Sequence, residues 1–159
     1  RKSRLMKRLW VCAIGVGMFL AVAGHASAQT VLDGSDKTAP PQAKSAMTAV
    51  AKKFSSPSTV RFQKIKTHES GGKVVTCGEV NDGTTQNFSL FGVIDGGEPV
   101  VFDTRPLPKA IDFNEVNGWV NRSAALDEIE EMKCAPKGSY KKYNDRLNKV
   151  LEKRKDNTQ

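Results

Sequence analysis

The chain has 159 residues and a formal net charge of +8, from 25 Lys and Arg against 17 Asp and Glu. Five of the basic residues lie among the first eight positions, whereas the first acidic residue is Asp33. Without that basic start the charges are nearly balanced. This excludes a protein that is basic throughout, and the length suits one domain with a single core.

The first 28 residues have the pattern of a secretory signal peptide. The basic start is followed by an apolar run, Val11–Ala23, and then by Ala26-Ser27-Ala28, an Ala-x-Ala cleavage site. A transmembrane anchor is the alternative, but a spanning helix needs about 20 apolar residues and this run is shorter. We therefore predict a start at Met6, cleavage after Ala28 and a periplasmic or extracellular protein that meets the membrane only through its signal.

The next elements are a lead segment and a helix. Residues 29–41 are polar and end in two prolines, so we predict a flexible lead. Apolar residues then recur at three- and four-residue spacings, which predicts a helix from about Gln42 to Phe54. Pro57 follows, and the residue before a proline disfavours helix.

Four strands are predicted after Pro57, at residues 59–67, 73–81, 86–95 and 98–104. Each of these runs is rich in β-branched or aromatic residues. The connectors contain Gly-Gly or Asp-Gly, which tolerate the positive φ of tight hairpin turns. Short turns make neighbouring strands antiparallel, so the pattern predicts a meander.

Helical periodicity returns after Pro108. One helix is predicted from Asp112 or Asn114 to about Cys134, and another begins at Ser139, a suitable N-cap. This order indicates an α+β fold for residues 42–155, a single domain with a small antiparallel β-meander of three to four strands. We expect the N- and C-terminal helices to pack on one face of the sheet, and residues 156–159 to form a disordered tail.

Export leaves an even pair of cysteines, Cys77 and Cys134, because Cys12 belongs to the signal. In an oxidising compartment an even pair predicts a disulfide, here between the second strand and the end of the second helix. The alternative is that Cys77 is a nucleophile activated by His68. That arrangement requires a free thiolate.

Two segments resemble a known set of proteins. Residues 56–62 (SPSTVRF) and 75–81 (VTCGEVN) are similar to runs of the form DPxSaxFRnv and vCGeVN in small exported bacterial proteins of unassigned function. The resemblance covers about Ser55 to Phe102, and Ser56 stands where that family usually has Asp. It implies export, a disulfide and a compact α+β module, and it implies no catalytic residues.

The sequence contains no pattern typical of a catalytic or metal site. Zinc needs three or four ligands, and His68 with two paired cysteines does not supply them, so no metal or cofactor is expected. The acidic run at residues 127–131 is typical of a solvated helix face. Glu79, close to Cys77, is the better carboxylate candidate, and we interpret it as a structural hydrogen-bonding group.

The last predicted helix carries a basic cluster that could meet a polyanion or a partner protein. Its candidate residues are Lys141, Lys142, Arg146, Lys149 and Lys153, with Tyr140 and Tyr143 nearby. In the exported space the expected partners are an envelope protein or an anionic envelope polymer, and nucleic acid is not expected. The alternative is a helix that packs one apolar stripe on the sheet and solvates its lysines.

Three functional hypotheses follow from these features. The leading one is an exported, non-enzymatic binding or interaction module of the cell envelope. The second is a small periplasmic hydrolase that uses Cys77 or Glu79, and the third is a structural subunit of an envelope assembly. A free thiol would favour the second, and concentration-dependent self-association would favour the third.

Overall fold

The computed structural model describes residues 29–156, with side chains as far as Lys153. The predicted signal peptide and the last three residues lie outside the described residues. The main elements, in chain order, are β1 (Thr30–Val31), α1 (Pro41–Ala51), β2 (Arg61–Ser70), β3 (Lys73–Asn81), β4 (Ser89–Ile94), β5 (Val100–Phe102), α2 (Val116–Glu131) and α3 (Ser139–Asp156). Within the described part of the chain, no helix is both long and apolar enough to span a bilayer.

The strands form one sheet in the order β1-β2-β3-β4-β5. Strands β2 to β5 pair antiparallel in sequence order, which confirms the predicted α+β fold and its meander. Gly71 and Gly72 both have positive φ, 58° and 77°, at the turn between β2 and β3. Only glycine adopts consecutive positive φ values at little cost, so this turn sets the hairpin register.

The prediction of a flexible lead at residues 29–41 is wrong. Strand β1 lies parallel to β2, with Thr30 opposite Arg61 and Val31 opposite Phe62, and it makes the sheet five-stranded and mixed. The polar residues that suggested disorder instead serve as hydrogen-bond acceptors for a β-bulge in β2. The Asp33 carboxylate accepts the backbone N–H of Lys64 at 2.8 Å.

That bulge explains why the lead is ordered. Lys64 has φ of 54°, and the pairing of β2 with β3 shifts between Gln63 and Lys66. A bulge leaves backbone groups without partners in the ladder. The hydroxyl of Ser35 accepts the backbone N–H of Ile65 at 2.8 Å, as Asp33 does for Lys64, so the lead satisfies both donors.

Helices cover both faces of the sheet, and the expectation that they share one face is wrong. Side chains alternate across a strand, so Phe91 and Val93 in β4 face α1, while Leu90 faces α2. The sheet therefore has two apolar faces and two cores.

The first core lies between α1 and the sheet. Phe62 and Phe91 are fully buried there and meet edge to face, with ring centroids 5.6 Å apart. Met47 and Val50 of α1 pack on the same cluster. Burial of each such side chain contributes about 1.5–3 kcal/mol, so α1 is held mainly by this contact.

The second core lies between β4, β5 and the last two helices. Phe102, Leu126, Ile129 and Tyr143 form its buried centre. Phe113, which precedes α2, is 84% exposed and Val120 within it is 46% exposed, so the N-terminal part of the predicted helix lies largely outside the core. The helix packs through its C-terminal half instead.

The disulfide between Cys77 and Cys134 confirms the predicted pairing. It joins β3 to the segment after α2 and closes a separation of 57 residues, with Cα atoms 5.1 Å apart. Loop-closure entropy for a separation of that length corresponds to about 4 kcal/mol. A disulfide is compatible with an exported protein.

Candidate binding site

Residues 75–81 of β3 make contacts that stabilise the fold. A Cβ added at Gly78 would lie 2.7 Å from the ring of Phe91 and 2.8 Å from Ile65, so the side-chain-free position lets the first core close. Asn81 is buried, and its amide donates to the carbonyls of Thr85 and Asn87 at 2.8 and 2.7 Å. These contacts organise the loop between β3 and β4, and they give the segment a structural explanation.

Glu79 has partners on both carboxylate oxygens. Gln63 Nε2 donates to one oxygen at 2.7 Å, and Lys64 Nζ donates to the other at 2.8 Å. Burial raises the pKa of this carboxyl, but the two hydrogen bonds and the lysine charge lower it more, and the net pKa is below the usual value. A carboxylate held in its ionised form supports the structural interpretation and is a poor general acid.

The residues of the hydrolase hypothesis line one cavity of about 560 Å³, which we call the disulfide groove. Its lining consists of Lys64, Lys66, Thr67, His68, Cys77, Gly78, Glu79, Leu90, Lys133, Cys134, Ala135 and Pro136. The sulfur of Cys77 is bonded to Cys134, so it offers no thiolate for attack. His68 Nε2 is buried and has no hydrogen-bond partner among the described residues.

A larger cavity, of about 710 Å³, lies between α3 and the segment that follows β5, and we call it the α3 groove. Its lining consists of Leu90, Phe102, Thr104, Arg105, Pro106, Leu107, Pro108, Leu126, Ser139, Lys142, Tyr143, Arg146, Lys149 and Val150. Ligand sites for small molecules are typically 300–1,000 Å³ and mostly apolar, with a few polar groups that fix orientation. The α3 groove has both the size and this composition.

The structure separates the five basic residues predicted from the sequence. Lys142, Arg146 and Lys149 line the α3 groove, and Lys153 continues the same stripe one turn later. Lys141 does not line the groove, because its Nζ pairs with Asp145 at 2.8 Å on the neighbouring stripe. The basic cluster is therefore two surfaces, and the surface of Lys142, Arg146 and Lys149 borders the α3 groove.

The charges of the α3 groove have one sign. No Asp or Glu is among its lining residues. Arg105 is neutralised by Asp103 at 2.7 Å, but Lys142, Arg146 and Lys149 form no ion pair with any described side chain. Three unpaired cations beside an apolar floor favour an anionic ligand.

Tyr143 is the buried aromatic residue of α3 that lines the groove. It is 7% exposed, and its hydroxyl has no hydrogen-bond partner within the described part of the chain. Burial raises the pKa of this phenol, Arg122 and Arg146 act to lower it, and Asp103 acts to raise it. The hydroxyl stays protonated at neutral pH, so it is a buried donor without an acceptor among the described residues.

Sequence reasoning identified the basic helix but missed the opposite wall of the groove. That wall is residues 104–108, in which Pro106 and Pro108 fix an extended backbone around Leu107. The proline spacing was visible in the sequence, but nothing in it indicated that the segment would lie against α3.

No group of three or more His, Cys, Asp and Glu residues suited to a metal ion occurs in residues 29–156. Neither the known family models, nor the curated proteins, nor the solved structures match this chain. The interpretation of the site therefore depends on its own geometry.

Proposed function

We propose that this protein is an exported, disulfide-linked binding module that holds an anionic component of the cell envelope in the α3 groove. The observation that carries the proposal is the stripe of Lys142, Arg146 and Lys149, which form no ion pair with any described side chain and border a cavity whose described lining has no acidic residue. Exposed cations of this kind attract phosphate or carboxylate groups and raise the rate of encounter. The attraction is screened by salt, so binding weakens as ionic strength rises.

Two observations favour binding over hydrolysis. Cys77 is bonded to Cys134, and the Glu79 carboxylate is engaged by Gln63 and Lys64. A cysteine nucleophile must be a free thiolate, which the bond to Cys134 removes, and a general acid must carry a proton, which the ionised Glu79 carboxylate does not. Neither residue meets its requirement in this state.

The proposal is tested by sedimentation with lipid vesicles at about 0.1 M salt, where charges are screened beyond about 10 Å. The oxidised protein is expected to sediment with phosphatidylglycerol vesicles and to stay in solution with phosphatidylcholine vesicles. Each cation near an anionic surface contributes about 1 kcal/mol. Reversing all three, in the variant Lys142→Glu, Arg146→Glu, Lys149→Glu, is therefore expected to weaken binding by about a hundredfold or more.

A matched control separates the groove from overall charge. Lys44, Lys52 and Lys73 are exposed and lie outside the α3 groove, so changing all three to Glu alters the net charge equally. This control is expected to retain most of the binding. An equal loss of vesicle binding in both triple variants would refute the proposed function. Failure of the wild type to bind either phosphatidylglycerol vesicles or soluble polyphosphate would also refute it.

A further inference from the structure

The α3 groove has a chemistry more specific than that of a basic surface. Its floor is formed by Leu90, Phe102, Leu126 and Val150, and its rim carries Lys142, Arg146 and Lys149. A purely ionic polymer would leave the apolar floor unmatched, and a neutral lipid would leave the cations unmatched. An occupant that satisfies both has one anionic head and one apolar chain.

We propose that the ligand of the α3 groove is a single-chain amphiphile with an anionic head, such as a long-chain carboxylate or a lysophospholipid. This inference rests on the proposed function and names its ligand class. The apolar chain lies on the leucine and phenylalanine floor, against Leu107 of the opposite wall. The head lies at the rim, where Arg146 and its neighbours on the stripe meet the anion.

Tyr143 supplies the second, independent observation. Its side chain is more than nine-tenths buried, lines the groove and carries a hydroxyl without a partner among the described residues. Buried polar groups are nearly always hydrogen-bonded, so an unpartnered hydroxyl on a side chain that lines the groove marks a place for an acceptor. Arg146 lines the same groove and follows Tyr143 by three residues on α3, so the two side chains are neighbours on the surface of the helix. An oxygen of the anionic head is the acceptor that both groups fit.

The size of the cavity is consistent with this occupant. At about 710 Å³ it falls within the range of small-molecule sites and is too small for a folded partner. The apolar floor also gives a quantitative signature. Each methylene that leaves water for the floor tightens binding by about fourfold, until the chain outgrows the groove.

The test is calorimetric titration of the full, oxidised protein with defined amphiphiles below their micelle concentrations. Dodecanoate is expected to bind more tightly than octanoate, by up to about fourfold for each added methylene. Butanoate, which has the head alone, and dodecyl maltoside, which has a neutral head, are both expected to bind weakly. Lysophosphatidylglycerol in a parallel titration distinguishes a phosphate head from a carboxylate head.

Two variants separate the groove from the rest of the second core. Tyr143→Phe removes the donor and is expected to weaken dodecanoate binding by about tenfold, as for a hydrogen bond to a charged group. Tyr140→Phe is the control, because Tyr140 is on the same helix and packs on the same cluster but does not line the groove. It is expected to leave affinity unchanged.

The outcomes are distinguishable from failure of the proposed function. An affinity that does not change with chain length, or binding of dodecyl maltoside as tight as that of dodecanoate, would overturn the proposal of an anionic amphiphile. Sedimentation with phosphatidylglycerol vesicles but no binding of any monomeric amphiphile would overturn the ligand class and leave the proposed function standing. If the protein neither sediments with these vesicles nor binds any monomeric amphiphile, the proposed function and the proposed ligand class are both overturned.

Discussion

The ring of Tyr143 meets the ring of Phe102 edge-on, with centroids 5.2 Å apart and planes at 89°. The first residue belongs to α3 and the second to β5, so this pair fixes the helix against the edge of the sheet. Edge-to-face aromatic pairs contribute about 0.5–1.5 kcal/mol beyond their burial. The contact sets which stripe of α3 borders the groove, and the tyrosine hydroxyl has no hydrogen-bond partner among the described residues.

Two substitutions of Tyr143 are therefore expected to change the free energy of unfolding differently. Tyr143→Phe keeps the ring and removes an unsatisfied hydroxyl, so the free energy of unfolding is expected to stay the same or to rise by up to about 1 kcal/mol. Tyr143→Ala removes the ring and is expected to cost about 3–5 kcal/mol. Urea denaturation at pH 7 measures both. A loss above about 1 kcal/mol for the phenylalanine variant would mean that the hydroxyl has a partner in the free protein.

The disulfide yields a prediction for export and for stability together. The exported protein is expected to begin at Gln29 and to alkylate at Cys77 and Cys134 only after reduction, as measured by intact mass. Replacing both cysteines by serine is expected to lower the free energy of unfolding by about 4 kcal/mol, because the cross-link restricts the unfolded chain. An unprocessed chain, or thiols that react without reduction, would contradict the expected compartment and return Cys77 to consideration as a nucleophile.

Glu79 predicts a pH dependence with a defined sign. Its pKa in the folded protein lies below the usual value of 4.5, so it contributes stability that is complete above that pH and is lost as pH falls through the folded value. The wild type is therefore expected to lose more stability than Glu79→Gln between about pH 6 and pH 3.

Urea midpoints across that range measure the difference. Asp33 and Asp82 also have lowered pKa values, but both are present in the two proteins, so the part of their titration that does not depend on Glu79 cancels in the comparison. Parallel stability curves for the two proteins would show that Lys64 and Gln63 do not hold the charge of Glu79.

Substitution by alanine is expected to have opposite effects on stability at two glycines. Gly78→Ala places a methyl group against Phe91 and Ile65 and is expected to cost about 1–3 kcal/mol by overpacking. Gly118 lies in α2 with no atom within 4 Å of an added Cβ, so Gly118→Ala is expected to stabilise by up to about 1 kcal/mol. Thermal denaturation compares them. A neutral Gly78→Ala would contradict the close approach of β3 to the first core.

Local features explain which parts of the fold could be predicted. Strand β3 was predicted with its observed bounds because β-branched residues run between two turn segments, and this pattern needs no distant partner. Strand β1 was missed because it has two residues and exists only through pairing with β2. In the sequence, the neighbouring residues Asp33 and Ser35 resemble those of a linker. In the fold they accept hydrogen bonds from the backbone of the bulge at Lys64.

Only one of the two walls of the candidate site could be predicted from local sequence. A basic helix can be recognised from composition, whereas the ion pair of Lys141 with Asp145, one turn apart, is seen only in the structure. That pair separates Lys141 from the stripe of Lys142 and Arg146. The wall at Leu107 depends on how the chain after β5 returns to α3, and no local pattern encodes such a long-range contact.

The most direct test of the account is an amide NMR titration of the ¹⁵N-labelled, oxidised protein with soluble short-chain phosphatidylglycerol. The account predicts that the largest shift changes fall on the amides of Thr104, Arg105 and Leu107 and of residues 139–150, in the two walls of the α3 groove. The same titration of Lys142→Glu, Arg146→Glu, Lys149→Glu should show little change. Largest shifts in α1 around Lys44 and Lys52, or around His68 in the disulfide groove, would contradict the assignment of the binding site.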